Sequence, residues 1–446
     1  LYQRGAAGCI MCEEIQAGPR PKGGTDMDII SQQSRTPKAI LIGVDTGEYD
    51  SELSMSELYE LAKTAGVETV ADIIQKRQTY DSATCIGRGR LMEIAESVRA
   101  LEVDLAIFDH ELTANQTRNI EDILDIQVID RTTLILDIFA QRAISKEGRI
   151  QVELAQNKYR LAHLAGKGIE MSRLGGGIGT RGPGESKLET DKRHIRRRIE
   201  TLDSELKKLE KRRDFHRARR KKDGILTAAI VGYTNVGKST LLNALTDAGV
   251  LAENKLFATL DTTSRMLELP DGRSVMLVDT VGLIRRLPHQ LIEAFKSTLE
   301  EAASADIIIN VIDISTDDGF KQAEVADSLL NELGCESIPR IKVYNKADLA
   351  PDPQNIPHDS KTAVISAREH HGFTELLQCI ARNLPETSVR KKFLIPYDKT
   401  QLINIIRSGG KVYTEKFTPE GTYIDALVDI KHFHLVSDYI TEATEN

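Results

Sequence analysis

The sequence predicts a multi-domain α/β protein: a P-loop domain whose mostly parallel sheet carries helices on both faces, an N-terminal α/β domain, a helical hairpin and a small C-terminal α+β domain. Three observations predict it. Residues 39–143 and 225–386 each alternate apolar strand-like runs with helical stretches, the pattern of parallel sheets. In the second block, Gly232-Tyr-Thr-Asn-Val-Gly-Lys-Ser-Thr240 stands between an apolar strand and a helix. Between the blocks, residues 144–224 carry no strand signal, and residues 387–446 read as a short α+β unit.

At 446 residues the chain is too long for one hydrophobic core; domains of ~150 residues suggest about three. No stretch approaches the ~18–20 uninterrupted apolar residues of a membrane helix. The five cysteines, at 9, 12, 85, 335 and 379, are too scattered for a disulfide framework and suit a reducing cytoplasm. Residues 1–38 form a Gly-, Pro-, Ser- and Gln-containing tail with little apolar periodicity, which reads as disordered. Its Cys9-Ile-Met-Cys12 lacks a second pair and reads as two thiols. The chain begins with Leu1, and Met27 offers a later start.

In the first block the expected strands are Ala39–Val44, Val67–Ile74, Leu105–Asp109 and Gln127–Asp130. Helices are expected at Met55–Ala65, Arg90–Ala100, Asn115–Leu124 and Thr132–Arg142. Next, Ile150, Leu154 and Leu161 share a helical face. Arg173–Gly184 holds six glycines in twelve residues. Leu188, Ile195, Ile199, Leu202, Leu206 and Leu209 then recur as a heptad-type seam. Two long antiparallel helices joined by a glycine-rich loop satisfy this pattern. Net charge is −8, yet residues 193–222 carry fourteen Lys or Arg against five acids, leaving −17 on the remainder. Arg196, Arg197 and Arg198, with Lys211–Arg213 and Arg219–Lys222, exceed what solubility requires and point to a polyanion, a nucleic acid.

The second block carries the chemistry. Gly232, Tyr233, Thr234, Asn235, Val236 and Gly237 form a loop able to wrap phosphates with backbone N–H groups, and Thr240 lies in the following helix. Lys238 is expected to reach the β- and γ-phosphates, and Ser239 to offer its hydroxyl to Mg²⁺. About forty residues after Lys238, an apolar strand delivers Asp279-Thr280-Val281-Gly282. There the carboxylate of Asp279 faces the metal and the Gly282 N–H senses the γ-phosphate. Asn345-Lys346-Ala-Asp348 follows another strand. The Asp348 carboxylate can accept from guanine N1–H and the exocyclic amine, a donor pair adenine lacks. Ser366-Ala367-Arg368 is expected near the guanine oxygen. Phe257-Ala258-Thr259-Leu260-Asp261 lies where a switch loop closes over Mg²⁺ and γ-phosphate, with Thr259 preferred over Thr262 and Thr263. Ser239, Thr259 and Asp279 are thus the expected metal ligands, and Lys238, Thr259 and Gly282 the expected catalytic set for GTP or GDP with Mg²⁺. After Gly282 stands Leu283, which cannot orient water as a glutamine would. Arg265, Arg285 and Arg286 read as surface or partner contacts.

These motifs resemble the HflX family of translation-factor-related GTPases. The resemblance runs from about Ala39 to Ile430 and rests on Cys85–Arg90, Ile129-Asp-Arg-Thr, Leu134–Arg142, Gln151–Gln156 and, above all, Ser172–Glu185 followed by Leu188-Glu-Thr-Asp191. It implies a GTP hydrolase, with ATP as a secondary substrate, that is slow alone and stimulated by the ribosome. It also implies binding to the large (50S) ribosomal subunit and its rRNA, action in ribosome splitting, rescue or biogenesis, and docking of Arg173 and Arg181 on rRNA. A cytoplasmic monomer without membrane contact is expected. The alternative is a nucleotide-gated RNA-binding scaffold with little turnover. One departure stands out: the family's Thr-Leu-Asp-Pro-Thr-Thr-Arg switch reads Thr259-Leu-Asp-Thr-Thr-Ser-Arg265 here, so φ is freer and an N–H is restored.

Overall fold

The computed structural model describes residues 35–171, 183–222, 224–246, 256–257, 261–286, 300–316, 318–350, 359–386 and 388–441. The tail with Cys9 and Cys12, the loop positions Arg173 and Arg181, and Ala258, Thr259 and Leu260 lie outside them.

Strands β1 (Lys38–Asp45), β2 (Glu68–Lys76), β3 (Leu105–Phe108) and β4 (Gln127–Asp130) form a parallel sheet in the order β2-β1-β3-β4. Helices α1 (Ser51–Thr64), α2 (Arg88–Leu101), α3 (Ala114–Leu124) and α4 (Arg131–Arg142) connect and cover it. The unbroken apolar runs of β1 and β3 follow from burial on both faces. Ile40, Ile42 and Phe108 share a core with Leu91 and Ile94 of α2, whereas Ala39, Leu41 and Ile107 share one with Leu58 of α1 and Leu134 of α4. Helix α1 starts four residues ahead of the expected Met55 because Asp50 caps it, accepting Leu53 N–H at 3.1 Å. Thr113 and Gln116 form a capping box on α3.

Helices α5 (Lys146–Met171) and α6 (Pro183–Lys222) make the hairpin. Ile150, Leu154 and Leu202 are buried between them, with Ile199, Leu206 and Leu209 alongside. Moving forward along α5 from Glu147 to Glu153, the partner on α6 moves back from Arg213 to Arg198, so the helices run antiparallel. The last turns of α6 reach the third unit, where Arg217 pairs with Glu301 at 3.0 Å.

That unit holds a six-stranded sheet, order β10-β9-β8-β5-β7-β6: β5 (Leu226–Gly232), β6 (Thr263–Glu268), β7 (Ser274–Asp279), β8 (Ile307–Asp313), β9 (Arg340–Asn345) and β10 (Thr362–Val364). All pairings are parallel except β6 with β7. Helices α7 (Lys238–Thr246), α8 (Gly319–Glu332) and α9 (Phe373–Asn383) belong to it. The chain turns to opposite sides of β5, so the crevice beyond its C-terminal end is where an open α/β sheet binds ligands.

The C-terminal unit is an antiparallel sheet, β11 (Ser388–Ile395)-β13 (Gly421–Asp429)-β12 (Gly410–Thr418), with α10 (Thr400–Gly409) and α11 (Ile430–Val436). Strand β11 is a departure from expectation. Its run Arg390-Lys391-Lys392 masks the alternation, and only its later Phe393 and Ile395 enter the core.

Candidate guanine-nucleotide site

Strand β5 is buried along its whole length and ends at Gly232. There φ is +154°, and a Cβ would come within 2.4 Å of the Val311 carbonyl oxygen, so only glycine fits. The loop then turns through Asn235 (φ +65°) and Gly237 (φ +95°) into α7. A Cβ on Gly237 would meet Asn345 Nδ2 at 2.5 Å, so the loop and the tip of β9 lie in contact. Val236 is buried between them.

Lys238 is buried and donates to the carbonyls of Tyr233 (2.7 Å) and Gly232 (3.2 Å). An ammonium has three donors, so one remains for a phosphate. Burial lowers its pKa to about 8, against the opposing influence of Asp279. Ser239 donates to Asp279 Oδ2 at 2.7 Å, and Asp279 is fully buried at the end of β7. A hydroxyl and a carboxylate side by side are hard oxygen donors of the kind Mg²⁺ takes, so this pair fits the ion. Thr280 fixes the strand end, its hydroxyl donating to Ile230 O at 2.8 Å.

Gly282 lies directly against the loop: a Cβ there would stand 3.1 Å from Thr234 Cα and 3.2 Å from Lys238 Nζ. Val281 is buried beside it. Leu283 bridges to Tyr233, with its N–H on Gly232 O (3.1 Å) and its carbonyl accepting from Thr234 N–H (2.8 Å). Its side chain packs into a core with Ala229, Val231, Ala302 and Ile308. Leucine at this position is therefore a core residue.

The base side is equally determined. Asn345, buried at the tip of β9, donates to Val236 O (2.8 Å) and accepts from Ala367 N–H (2.9 Å). Ser366 donates to Asp348 Oδ1 at 2.6 Å, leaving the rest of that exposed carboxylate available. Lys346 takes φ +66° and pairs with Asp313 at 2.6 Å. Arg368 is exposed.

Three family models match the chain: a GTP-binding GTPase N-terminal region at residues 52–140, a GTP-binding GTPase middle region at 142–220, and a 50S ribosome-binding GTPase at 227–346. The GTPase HflX of Caldanaerobacter subterraneus is 50% identical over 392 residues, covering 88% of this chain and 91% of that protein. The HflX of Lacrimispora saccharolytica is 46% identical and covers 92% of this chain and 98% of its own; that of Escherichia coli K12 is 39% identical, covering 82% and 87%. The chain belongs to the HflX GTPase family. It is a GTPase whose GTPase domain binds GTP and GDP.

Two residues expected at the HflX nucleotide are engaged elsewhere. Phe257 is buried and meets Phe139 of α4 edge-on, with ring centroids 4.6 Å apart. Such a buried aromatic pair joins the first and third units. Asp261 gives its carboxylate to the start of α5, accepting from Ile144 N–H (3.0 Å), Ser145 N–H (2.7 Å) and Ser145 Oγ (2.5 Å). Position between motifs places both near the nucleotide, and these contacts add a tie to a second unit that position alone does not reveal.

The sequence reading also missed a set of polar residues on the N-terminal unit. Tyr233 of the phosphate loop donates its hydroxyl to Glu57 of α1 and accepts Arg285 N–H at 2.8 Å. Glu57 also takes Arg131, which is buried and pairs with Asp109 at 2.9 Å while donating to Arg285 O at 3.2 Å. Arg286 reaches into the crevice beyond β1 and β3, donating to Asp109 Oδ2 (2.6 Å) and Ser54 Oγ (3.1 Å) under the Tyr49 ring. Burial acts to raise the Asp109 pKa, but Arg131 and Arg286 outweigh it and hold the carboxylate below its ordinary range. The Arg286 side chain and the Arg285 backbone carbonyl thus contact the N-terminal unit, while Arg265 stays exposed on β6. The signal available was Ile129-Asp-Arg-Thr, a charged pair at the end of an apolar strand.

Proposed function

We propose that this GTPase binds the large (50S) ribosomal subunit through its hairpin, with nucleotide state as the switch, and acts in ribosome splitting, rescue or biogenesis. The observation that carries the reading is the sharing of hydrogen bonds between nucleotide site and hairpin. Asp261, in the switch segment, sits on the first turn of α5, and α6 returns to grip Glu301 beside the sheet. A change at the γ-phosphate can therefore reach the RNA-facing helices through direct contacts rather than a linker.

The hairpin supplies the charge. Arg197 is exposed, Arg196 pairs loosely with Glu189 at 3.8 Å, and Arg198 is held by Glu153 in a two-pronged pair of 2.6 and 2.8 Å. Arg198 thus braces the two helices and offers less to RNA than its neighbours. Near the other end of α6, a cleft of about 480 Å³ is lined by Arg213, His216, Arg219 and Arg220 against Ser264 and Met276 of the sheet edge. Arg173 and Arg181 in the glycine-rich loop complete the proposed rRNA contacts. The matched description of a 50S ribosome-binding GTPase supports the same partner.

At the nucleotide, Ser239, Asp279 and Thr259 would hold Mg²⁺, which when bound neutralises phosphate charge. Lys238 and the N–H of Gly282 bind the γ-phosphate, the loop N–H groups from Gly232 to Thr240 bind the α- and β-phosphates, and Asp348 selects guanine. The Ser366–Arg368 segment would bring a backbone N–H near the guanine oxygen, with Ala367 N–H tied to Asn345. With Leu283 in the core, no side chain at that position orients water, so turnover is slow alone and rises on the ribosome. The protein works as a monomer in the cytoplasm, partly on ribosomes. Among the described residues no helix is long and apolar enough to cross a membrane.

The same burial of Leu283 favours a second reading, a nucleotide-gated RNA-binding scaffold with little turnover. Sedimentation with separated subunits and a non-hydrolysable GTP analogue tests the first reading. Co-migration with the large subunit is expected, and its absence refutes the ribosome assignment. Subunit-independent turnover alongside nucleotide-gated binding selects the scaffold.

A further inference from the structure

Asp261 is joined to the hairpin by an arrangement that neither a nucleotide site nor ordinary domain packing requires. Ser145 caps α5, its Oγ accepting Gly148 N–H at 2.9 Å. The same hydroxyl donates to Asp261 Oδ1 at 2.5 Å, and the N–H groups of Ile144 and Ser145 converge on Oδ2 at 3.0 and 2.7 Å. The carboxylate thus sits at the positive end of a helix dipole. Gly148 lies in the first turn of α5, a place where glycine is a weak choice for a helix. The reason is steric: a Cβ at 148 would stand 2.4 Å from Asp261 Oδ1. The glycine clears a seat for a side chain from a residue more than a hundred positions away.

The two ends of this joint are the parts a switch must connect. Two residues after Asp261, Thr263 enters β6 and pairs with Asp279, the carboxylate beside Ser239. Two residues before it is Thr259, and two residues of chain span at most about 7 Å. Where Asp261 is held therefore limits where Thr259 can reach. On the other side, α5 runs 26 residues, a rod of about 39 Å, to the end that enters the glycine-rich loop.

We propose that Ser145 and Gly148 are positioning residues of the GTPase cycle: by seating Asp261 on the N-terminus of α5, they couple nucleotide state to the attitude of the hairpin. The proposal rests on the hairpin binding the large subunit, and it names the joint through which that binding is regulated. Neither residue touches phosphate or base, so affinity for GDP in the isolated protein is unaffected by changing them. Coupling is reciprocal: whatever factor GTP adds to subunit affinity, the subunit adds to GTP affinity.

The test uses the full chain. Dissociation constants for purified large subunits are measured with a non-hydrolysable GTP analogue and with GDP, for wild type, Gly148→Ala, Ser145→Ala and Ser145→Thr. Wild type is expected to prefer the GTP state by on the order of tenfold. Gly148→Ala should bring that ratio close to one without lowering the melting temperature, because alanine favours the helix while its methyl displaces only the end of the Asp261 side chain. Ser145→Ala should reduce the ratio, and Ser145→Thr, which keeps the hydroxyl, should restore it. GDP affinity without subunits should stay within about twofold throughout, the loop and base contacts being untouched. A wild-type ratio that survives in both Gly148→Ala and Ser145→Ala overturns the joint while leaving the ribosome reading standing. A wild type indifferent to nucleotide overturns that reading and the joint with it.

Discussion

The two sides of the nucleotide site are built by different rules. On the base side, Asn345, Asp348, Ser366 and Ala367 bond to one another and to the phosphate loop, all within one domain. On the switch side, Phe257, Asp261, Arg286 and the Tyr233 hydroxyl bond to the N-terminal unit or the start of the hairpin. A self-contained half suits a task that never changes, the recognition of guanine and phosphate. A half shared with a neighbouring unit suits segments whose position must be felt elsewhere.

The largest effect expected on the shared side comes from Arg131→Ala. It would strip the half-buried Glu57 of its arginine and leave the buried Asp109 with Arg286 alone, at a cost of about 3 kcal/mol. Denaturant unfolding should show it, and a loss under 1 kcal/mol would mean the crevice is wetter than its burial suggests. On the self-contained side, Lys238→Ala should reduce GTP turnover by on the order of 10²–10³-fold. Stability should barely fall, because this lysine's bonds go to loop carbonyls that water can also serve. The two variants sharpen the contrast: one damages the union of domains, the other the chemistry.

Asp348→Asn should weaken GTP binding by about a hundredfold and move base preference toward xanthine, whose edge offers the complementary group. Fluorescent-nucleotide competition reads this directly, and an unchanged preference for guanine removes Asp348 from base recognition.

A pH dependence of the shared side is also expected. His110 is buried beside Asp109, and burial, with Arg286 adding to it, pulls its pKa from 6.5 to about 4. The native imidazole is then neutral where the unfolded one takes up a proton. Stability is full above pH 6.5 and is lost as pH falls toward 4, by up to about 3 kcal/mol. His110→Gln should flatten the melting-temperature profile between those pH values, and a parallel profile would place the acid sensitivity elsewhere.

Legibility divided along the same line. The order of β and α units, the hairpin and the strand-end motifs were all readable, because a P-loop between strand and helix and an Asn-Lys-Ala-Asp at a strand tip are local in sequence. Leu283 was readable as a residue unable to orient water, but its place in a core with Ile308 and Ala302 was not. Glu57, Arg131, Ser145 and Gly148 carried no periodicity or motif that pointed to a nucleotide. Their partners lie far along the chain, in a contact that exists only once two units have docked. The contacts of Phe257 with Phe139 and of Asp261 with Ser145 were illegible for the same reason, since a stretch between two phosphate motifs carries no mark of a second unit. Strand β11 was hidden by Arg390, Lys391 and Lys392, whose charges face outward at a sheet edge.

In the proposed function, GTP hydrolysis serves binding to the large ribosomal subunit. It is tested most directly by GTP turnover of the full chain measured with and without purified large subunits. Slow turnover alone and a rise of at least about tenfold with large subunits, absent with small ones, is the expected result. Turnover that is the same with either subunit or with none would contradict it.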